Sequence, residues 1–417
     1  MHAEVEGKCK LAKKAAPLLA ALTAAAKNEV LEAIAGALEN SVQPIIEANR
    51  IDLENLQKKD TYTTAFHDRL LLNRERIEAM AAGLREIALL DDPVGVVAGM
   101  WKRPNGLQIG LVSVPIGVVG IIYEARPNVT VDAAGLALKA GNAVVLRGSS
   151  EAINSNRELV RLINEAVSTT NLPAGTVSLI TDTSREAAAD LMKADRYLDL
   201  LIPRGGPGLI RSVLDNSTVP VIQTGAGNCH IFVDREADLE MAKGIAVNAK
   251  VQRPGVCNAM ETLLVHEGIA DRFLPVTLEA LKEQGVQVRG CEKTARYSPD
   301  VLPAEESDWE TEYLDLILAV KVVVSIDEAI DHINRYNTGH SEAIITNDYF
   351  NSRLFLERVD AAAVYVNAST RFTDGSEFGL GAEMGISTQK LHARGPMGLE
   401  ALTSKKYIIY GSGQVRN

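Results

Sequence analysis

Aromatic side chains are scarce in this sequence: Phe, Trp and Tyr together make up 5% of 417 residues. Ala, Val, Ile and Leu must therefore fill the core, which suits β-branched strands lying under Ala- and Leu-rich helices. Positive charge is also in deficit. The 43 Lys and Arg against 54 Asp and Glu leave a net charge of −11. That balance argues against a nucleic-acid or anionic-membrane partner, because both need a basic surface. Cysteine is limited to Cys9, Cys229, Cys257 and Cys291. None forms a CxxC pair and none stands at zinc-ligand spacing with His, so neither a disulfide framework nor a metal site is expected. The expected setting is reduced and cytoplasmic, where a nucleophilic thiol survives. No apolar run approaches the ~18 residues of a membrane span. Lys8–Ala26 has a basic start and an Ala/Leu stretch, but it continues into Lys27 and Glu29. It reads as an amphipathic helix with Leu11, Leu18, Leu19 and Leu22 on one face rather than as a leader. The usual GxGxxG of dinucleotide binding is missing after the first strand.

What is present falls into blocks, and the length suggests two to four domains at roughly 100–200 residues each. From residue 8 to about 90 apolar residues recur at helical spacing, as in Leu70, Ile77, Met80, Leu84 and Ile87, until Asp91-Asp92-Pro93 stops the block. Val94–Val119 is rich in Gly, Val, Ile and Pro, with Asn105-Gly106 between two extended runs, which signals a hairpin. Little lies beneath such a hairpin, so another subunit is its expected support. Strands at Val118–Ile122, Ala143–Leu146, Thr176–Ile180, Leu198–Ile202 and Val219–Ile222 then alternate with helices such as Thr130–Ala140 and Ile153–Val167. Continuous Val/Ile runs in that alternation predict a parallel sheet covered on both faces. A second α/β unit begins near Cys229, with strands at His230–Val233, Thr262–Val265, Leu316–Val324, Ser341–Ile345 and Val364–Asn367. Tyr407–Tyr410 reads as a short strand that pairs with the hairpin of another subunit.

Cys257 lies in Gln252-Arg253-Pro254-Gly255-Val256-Cys257-Asn258. The Pro-Gly pair breaks the preceding helix and sets the thiol at a bend, and Arg253 lowers a thiol pKa if it is also close in space. Two roles stay open, a buried structural cysteine and a nucleophile. The other three cysteines lack this context and read as structural. Further upstream, Pro115–Asn128 ends a strand in a polar turn in which Pro127 keeps Arg126 out of helical geometry. Asn128 then either caps a helix or, with backbone N–H groups, holds a developing oxyanion. Gly205-Gly206-Pro207-Gly208 follows a later strand and is a weak cofactor signal by itself.

Four stretches occur in order: GIIYEARPNVTVDAA from Gly120, QRPGVCNA from Gln252, Tyr336–Glu342, and NASTRFTDG from Asn367. The last continues into Phe378–Glu383 and His392–Gly398. Nearly the whole chain thereby resembles the aldehyde dehydrogenase superfamily and, within it, the family that reduces γ-glutamyl phosphate in proline biosynthesis. The resemblance implies an α/β, aldehyde dehydrogenase-like fold: two parallel-sheet α/β domains plus a β-hairpin oligomerisation arm. It places a nucleotide-binding domain at 1–96 and 118–228, the arm at 97–117 and 398–417, and a catalytic domain at 229–366. Residues 367–397 form a substrate loop that returns to the nucleotide-binding domain.

The same resemblance implies NADPH-dependent reduction of γ-glutamyl 5-phosphate to glutamate 5-semialdehyde through a thioester on Cys257, with Asn128 as oxyanion donor. Arg147 matches the position of the family's ribose-binding Lys, and its guanidinium suits a 2′-phosphate. The alternative for Arg147 is a solvated charge at a strand end. Gly148, Ser149, Gly205, Gly206 and Glu312 complete the expected cofactor set. Arg126, Arg253 and Arg371 are expected to meet substrate anions, with Ser369 and Thr370 adding hydroxyls. His340 either contacts substrate or orders its own loop. The family's hydrolytic members carry a Glu in a segment that here reads Gln223-Thr224-Gly225-Ala226-Gly227-Asn228, with no carboxylate. That absence favours exchange with phosphate over hydrolysis. A homo-oligomer, dimer or tetramer, is expected, with possible association with glutamate 5-kinase. The alternatives are an acylating enzyme with another leaving group such as coenzyme A, and a non-catalytic NADPH-binding scaffold.

Overall fold

The computed structural model describes residues 2–59, 63–170 and 172–416. The chain divides into two compact units. The first comprises Met1–Thr224, Gly379–Gly385 and Met397–Asn417, and the second Gly225–Phe378 and Ile386–Pro396. Among the described residues no helix is long and apolar enough to cross a membrane.

The first unit opens on helices Ala3–Leu19, Ala24–Asn40, Val42–Gln57, Thr64–Leu70 and Arg74–Leu89. Side-chain caps start several of them: Thr23 accepts from Ala26 N and Asn73 from Arg76 N. The expected stripe of Leu70, Ile77, Met80, Leu84 and Ile87 is buried. The first helix differs from expectation. It buries Val5, Cys9, Ala12, Ala16 and Leu19, while Leu11 and Leu18 are exposed. Small residues on the buried face let this helix lie close against the sheet.

Strands β1 (Val97–Lys102) and β2 (Gln108–Pro115) form the expected hairpin, and Gly106 supplies the positive φ of 91° at its turn. Within the chain it is supported by a third strand. The C-terminal strand Thr403–Tyr410 pairs antiparallel with β2 of the same chain, from Thr403 opposite Pro115 to Tyr410 opposite Gln108. The tail was expected to pair in trans because sequence pattern carries no information on which copy supplies a strand.

A parallel sheet follows, made of β3 (Val118–Tyr123), β4 (Ala143–Gly148), β5 (Val177–Leu179) and β6 (Leu200–Arg204). Among the described residues its order is β5-β4-β3-β6, and every residue of β3 is buried. The expected strand Val219–Ile222 is reduced to one parallel bridge between Leu201 and Val221, because Pro220 has no N–H for a ladder.

Two carboxylates tie helices to this sheet layer. Asp52, fully buried on helix Val42–Gln57, caps helix Ile153–Ser168 from outside. It accepts from Asn154 N, Asn154 Nδ2, Ser155 N and Ser155 Oγ at 2.6–3.2 Å. Glu4 accepts from Lys8 Nζ at 2.7 Å, Thr181 N at 2.8 Å and Asp182 N at 3.0 Å, docking the first helix at the end of β5. Burial alone raises the pKa of Glu4, but the Lys8, Thr181 and Asp182 bonds outweigh it and hold it at about 2.

The second unit is built on a parallel sheet with β7 (Cys229–Val233), β8 (Met260–His266), β9 (Gln287–Gly290), β10 (Leu302–Pro303), β11 (Ile317–Val323), β12 (Ser341–Ile345) and β13 (Ala363–Val366). Among the described residues the order is β10-β9-β11-β8-β7-β12-β13. β9 and β10 were not foreseen, being short and partly polar. Strand periodicity sends Ile231, Leu263 and Val320 into one core with Phe273 and Leu278, and Phe232, Leu264 and Ile344 into the other with Ile333 and Phe355. Both faces are covered by helices, as a parallel sheet requires.

Asp52→Ala strands four donors and is expected to lower stability by about 2–4 kcal/mol in denaturant unfolding. The depressed pKa of Glu4 gives a stabilisation that is complete above its ordinary value of 4.5 and is lost as pH falls towards 2. Acid unfolding followed by circular dichroism should therefore be less steep below pH 4.5 in Glu4→Gln than in wild type.

Candidate active site

Helix Leu239–Val251 ends just before the Pro254-Gly255 break, and the chain bends through Cys257 before entering β8. Ala259 N donates to Val256 O at 3.1 Å, closing the turn. Cys257 is half-buried, whereas Cys9 and Cys229 are fully buried. Burial pushes the Cys9 thiol up to about 12 and the Cys229 thiol well above its ordinary value. Both are protonated, unreactive thiols at physiological pH.

The Cys257 backbone is gripped from behind. Cys229 Sγ donates to Cys257 O at 3.2 Å. Gly227 lies so close that a Cβ built on it would sit 1.4 Å from the same carbonyl oxygen. Gly227 N donates to Glu312 Oε1 at 2.7 Å. Glu312, expected as a cofactor-ribose ligand, is here seen anchoring the backbone behind the cysteine. Its own pKa is raised by burial, against the Gly227 bond and the Lys250 charge. Next to it, Leu314 N donates to Glu261 Oε1 at 3.2 Å, and Leu314 adopts φ 55°. Glu261 pairs with Lys250 at 2.5 Å, both side chains being fully buried. Burial pushes Glu261 up and Lys250 down, and each charge opposes the other's shift.

Asn258, one residue after the thiol, reaches the turn at Ser369–Thr373. Its Nδ2 donates to Thr373 O at 2.9 Å and Arg371 O at 3.3 Å, and its Oδ1 accepts from Arg371 Nη1. Thr370 is fully buried and its hydroxyl donates to Asn258 O at 2.8 Å. Ser369 Oγ accepts from Arg371 N at 3.3 Å. The two hydroxyls expected to meet substrate are thus engaged inside the turn, where burial of Thr370 leaves it no route to a ligand. Arg253 is exposed on the same bend.

His340 is fully buried at the start of β12, with Nδ1 2.8 Å from Ser341 Oγ and 3.8 Å from Cys229 Sγ. Burial lowers its pKa to about 4, so the ring is neutral. Of its two possible roles, ordering the loop fits this placement and substrate contact does not, since the ring has no exposed surface. Ser341 Oγ meets Thr373 Oγ1 at 2.6 Å, and Tyr365 OH meets the same hydroxyl at 2.7 Å.

In the first unit, Asn128 begins helix Asn128–Lys139 and does not cap it. Its Nδ2 donates to Asp132 Oδ2 at 3.1 Å, one turn on. Burial raises Asp132 to about 6, against the Asn128 bond and the Arg204 charge. Both Asn128 and Arg126 are exposed. Arg147, near the end of β4, donates through Nη2 to Thr183 O at 2.6 Å and Ser184 O at 3.0 Å, so it is not a freely solvated charge. Its Nε is buried without a partner. Gly148 ends β4 and Ser149 follows half-buried. Gly205 and Gly206 follow β6 and lead into helix Pro207–Asn216, where Gly206 N donates to Glu124 Oε1 at 3.0 Å. Reading the sequence missed Gly227, Asn258, Gln252, Asp132 and the Lys250–Glu261 pair. Only the Asn128–Asp132 contact carried a signal, in its i,i+4 spacing on a helix.

The chain matches the Aldehyde dehydrogenase family over residues 1–299 and 289–408. It is 63% identical over 413 residues to a γ-glutamyl phosphate reductase of Moorella thermoacetica, covering 99% of each chain. It is 62% identical, with the same coverage, to one of Carboxydothermus hydrogenoformans. A crystal structure of γ-glutamyl phosphate reductase from Thermotoga maritima superposes with a TM-score of 0.97 at 53% identity, covering 99% of this chain and 100% of that one. An acetylating aldehyde dehydrogenase from Geobacillus thermoglucosidasius, 20% identical and covering 99% and 98%, shares the fold with a TM-score of 0.71. The chain belongs to the aldehyde dehydrogenase family and, within it, to the γ-glutamyl phosphate reductases.

Proposed function

We propose that the chain reduces γ-glutamyl 5-phosphate to glutamate 5-semialdehyde and phosphate, with Cys257 as covalent nucleophile and NADPH as reductant. The observation that carries the reading is the Cys257 turn: a half-buried thiol on a bend whose carbonyl and following residue are both fixed. The full-length identity to γ-glutamyl phosphate reductases supplies the substrate.

The Cys257 thiolate attacks the acyl carbon of the substrate. The carbon–oxygen bond to the phosphoryl group breaks, and its electron pair leaves on phosphate, which needs no proton at neutral pH. The negative charge that the attack places on the acyl oxygen is met by the Cys257 backbone N–H and the Asn128 amide. Asn128 Nδ2 has two hydrogens, and the bond to Asp132 occupies one. NADPH, when bound, supplies the hydride that takes the acyl group to the aldehyde level. Cys257 then leaves as thiolate and frees the aldehyde. The segment 223–228 has no carboxylate to activate water, so the thioester waits for hydride.

Arg147 suits a phosphorylated cofactor, with its buried Nε unpartnered and Nη2 fixed by two carbonyls. Gly148, Ser149, Gly205 and Gly206 offer backbone at the ends of parallel strands, where dinucleotides bind. Glu312 would take the nicotinamide ribose with the oxygen not held by Gly227. Arg126, Arg253 and Arg371 supply cations for substrate anions. The reading includes a cytoplasmic homo-oligomer, a dimer or a tetramer, using the three-stranded arm. It also includes delivery of the unstable acyl phosphate by glutamate 5-kinase.

Run in reverse, glutamate 5-semialdehyde and NADP+ should give reduced cofactor only with inorganic phosphate present, and Cys257→Ala should abolish it. Turnover without phosphate would mean that water resolves the thioester and would sink the mechanism. Gly227→Ala forces its methyl into the Cys257 carbonyl and should cut kcat/KM by about 100-fold, since ångström-scale misplacement of a nucleophile costs about that much. Slower iodoacetamide labelling of Cys257 in that variant would locate the loss at the thiol.

A further inference from the structure

Gln252 and Asn258 bracket the Cys257 turn, and the mechanism above uses neither side chain. Both hold Arg371. Its Nε donates to Gln252 Oε1 at 2.8 Å, and its Nη1 donates to Asn258 Oδ1. Asn258 Nδ2 donates back to the Arg371 carbonyl, so one residue fixes both the backbone and the side chain of the arginine. A guanidinium is planar, so anchoring Nε and Nη1 also sets the direction of Nη2. Among the described residues Nη2 has no protein partner, which leaves a prepared donor edge. The charge is partly withdrawn from water. Burial and the neighbouring Arg253 charge lower the pKa of Arg371, and the Cys257 sulfur opposes them. Two guanidinium groups close to one another repel, and a multiply charged anion between them relieves that repulsion.

The substrate offers two kinds of anion. Its α-carboxylate is separated from the reacting carbon by the glutamyl methylenes. Its phosphoryl group is joined to the reacting carbon through one oxygen. A cation clamped to the residue next to the nucleophile belongs at the phosphoryl end. Resting on the acyl-phosphate reading above, we infer that Arg371, oriented by Gln252 and Asn258, binds the phosphoryl leaving group of the substrate. When the acyl carbon–oxygen bond breaks, the electron pair goes to the phosphate oxygen, and the charge it adds is met by Nη2 and Arg253 without a proton transfer. Gln252 and Asn258 are positioning residues for this step.

The reverse reaction tests the inference, because inorganic phosphate is then a substrate with its own KM. Gln252 is exposed, so Gln252→Ala removes one anchor with little risk to folding, and thermal unfolding checks that. Arg371→Lys keeps the charge but loses the fork. The KM for phosphate and for glutamate 5-semialdehyde are measured separately, together with iodoacetamide labelling of Cys257. Gln252→Ala should raise the phosphate KM about fivefold, and Arg371→Lys about tenfold or more, as expected for a misdirected or lost charge-assisted contact. The semialdehyde KM and the labelling rate should stay at wild-type values in Gln252→Ala. A rise in the semialdehyde KM with an unmoved phosphate KM would overturn the inference and assign Arg371 to the carboxylate. No change in either constant would also overturn it and leave the clasp as a brace for the turn. Failure of the underlying reading shows elsewhere, as wild-type turnover that ignores phosphate.

Discussion

The candidate site depends on how closely the backbone at Gly227 approaches the carbonyl of Cys257. No side chain fits between them, so the position of the thiol is set by main-chain contact rather than by an adjustable rotamer. The Cys229 sulfhydryl and the Glu312 carboxylate secure the two partners of that contact. Asn258 secures the far side. A nucleophile held by backbone loses little entropy when it attacks, which is one source of the advantage of an intramolecular reaction.

The Lys250–Glu261 pair lies under this arrangement and needs a different account. A buried ion pair is weak as a source of stability, because desolvation offsets its attraction. Its use here is geometric. Glu261 sits on β8, within three strand residues of the Cys257 turn, and holds Leu314 N. Glu312, two residues before Leu314, holds Gly227 N. The pair therefore fixes the segment that fixes the glycine. Replacing it with apolar residues would fill the same volume but leave Leu314 in its left-handed conformation without a bond to explain it.

Much of the fold was legible because its signals are local. Val/Ile-rich runs marked β3 and β4, mixed apolar runs marked β7 and β8, and Asn105-Gly106 marked the hairpin. The strand expected at Val219–Ile222 failed because Pro220 removes a donor, a fact visible in the sequence but outweighed there by the apolar run. The bend at Cys257 and the helix start at Asn128 were legible from Pro254-Gly255 and Pro127. Their supports were not. Asn258 and Thr373 are 115 residues apart, and so are joined only by the crossing of the sheet. His340 shows the same limit: its neutrality comes from burial, and no neighbour in sequence reports it.

The strand Thr403–Tyr410 completes the arm by pairing with β2, almost three hundred residues earlier in the chain, between Ser113 and Lys405 among others. A ribosome finishes β2 long before it reaches that strand. Until residue 410 emerges, one edge of the hairpin has backbone donors and acceptors with no strand partner in the chain. Unpaired edges of this kind invite association with other chains. Nascent chains of this protein therefore pass through a vulnerable interval whose length is set by translation speed rather than by stability. A slower ribosome, or a truncation that removes the last fifteen or so residues, prolongs or fixes that exposed edge even though both parallel sheets are already encoded.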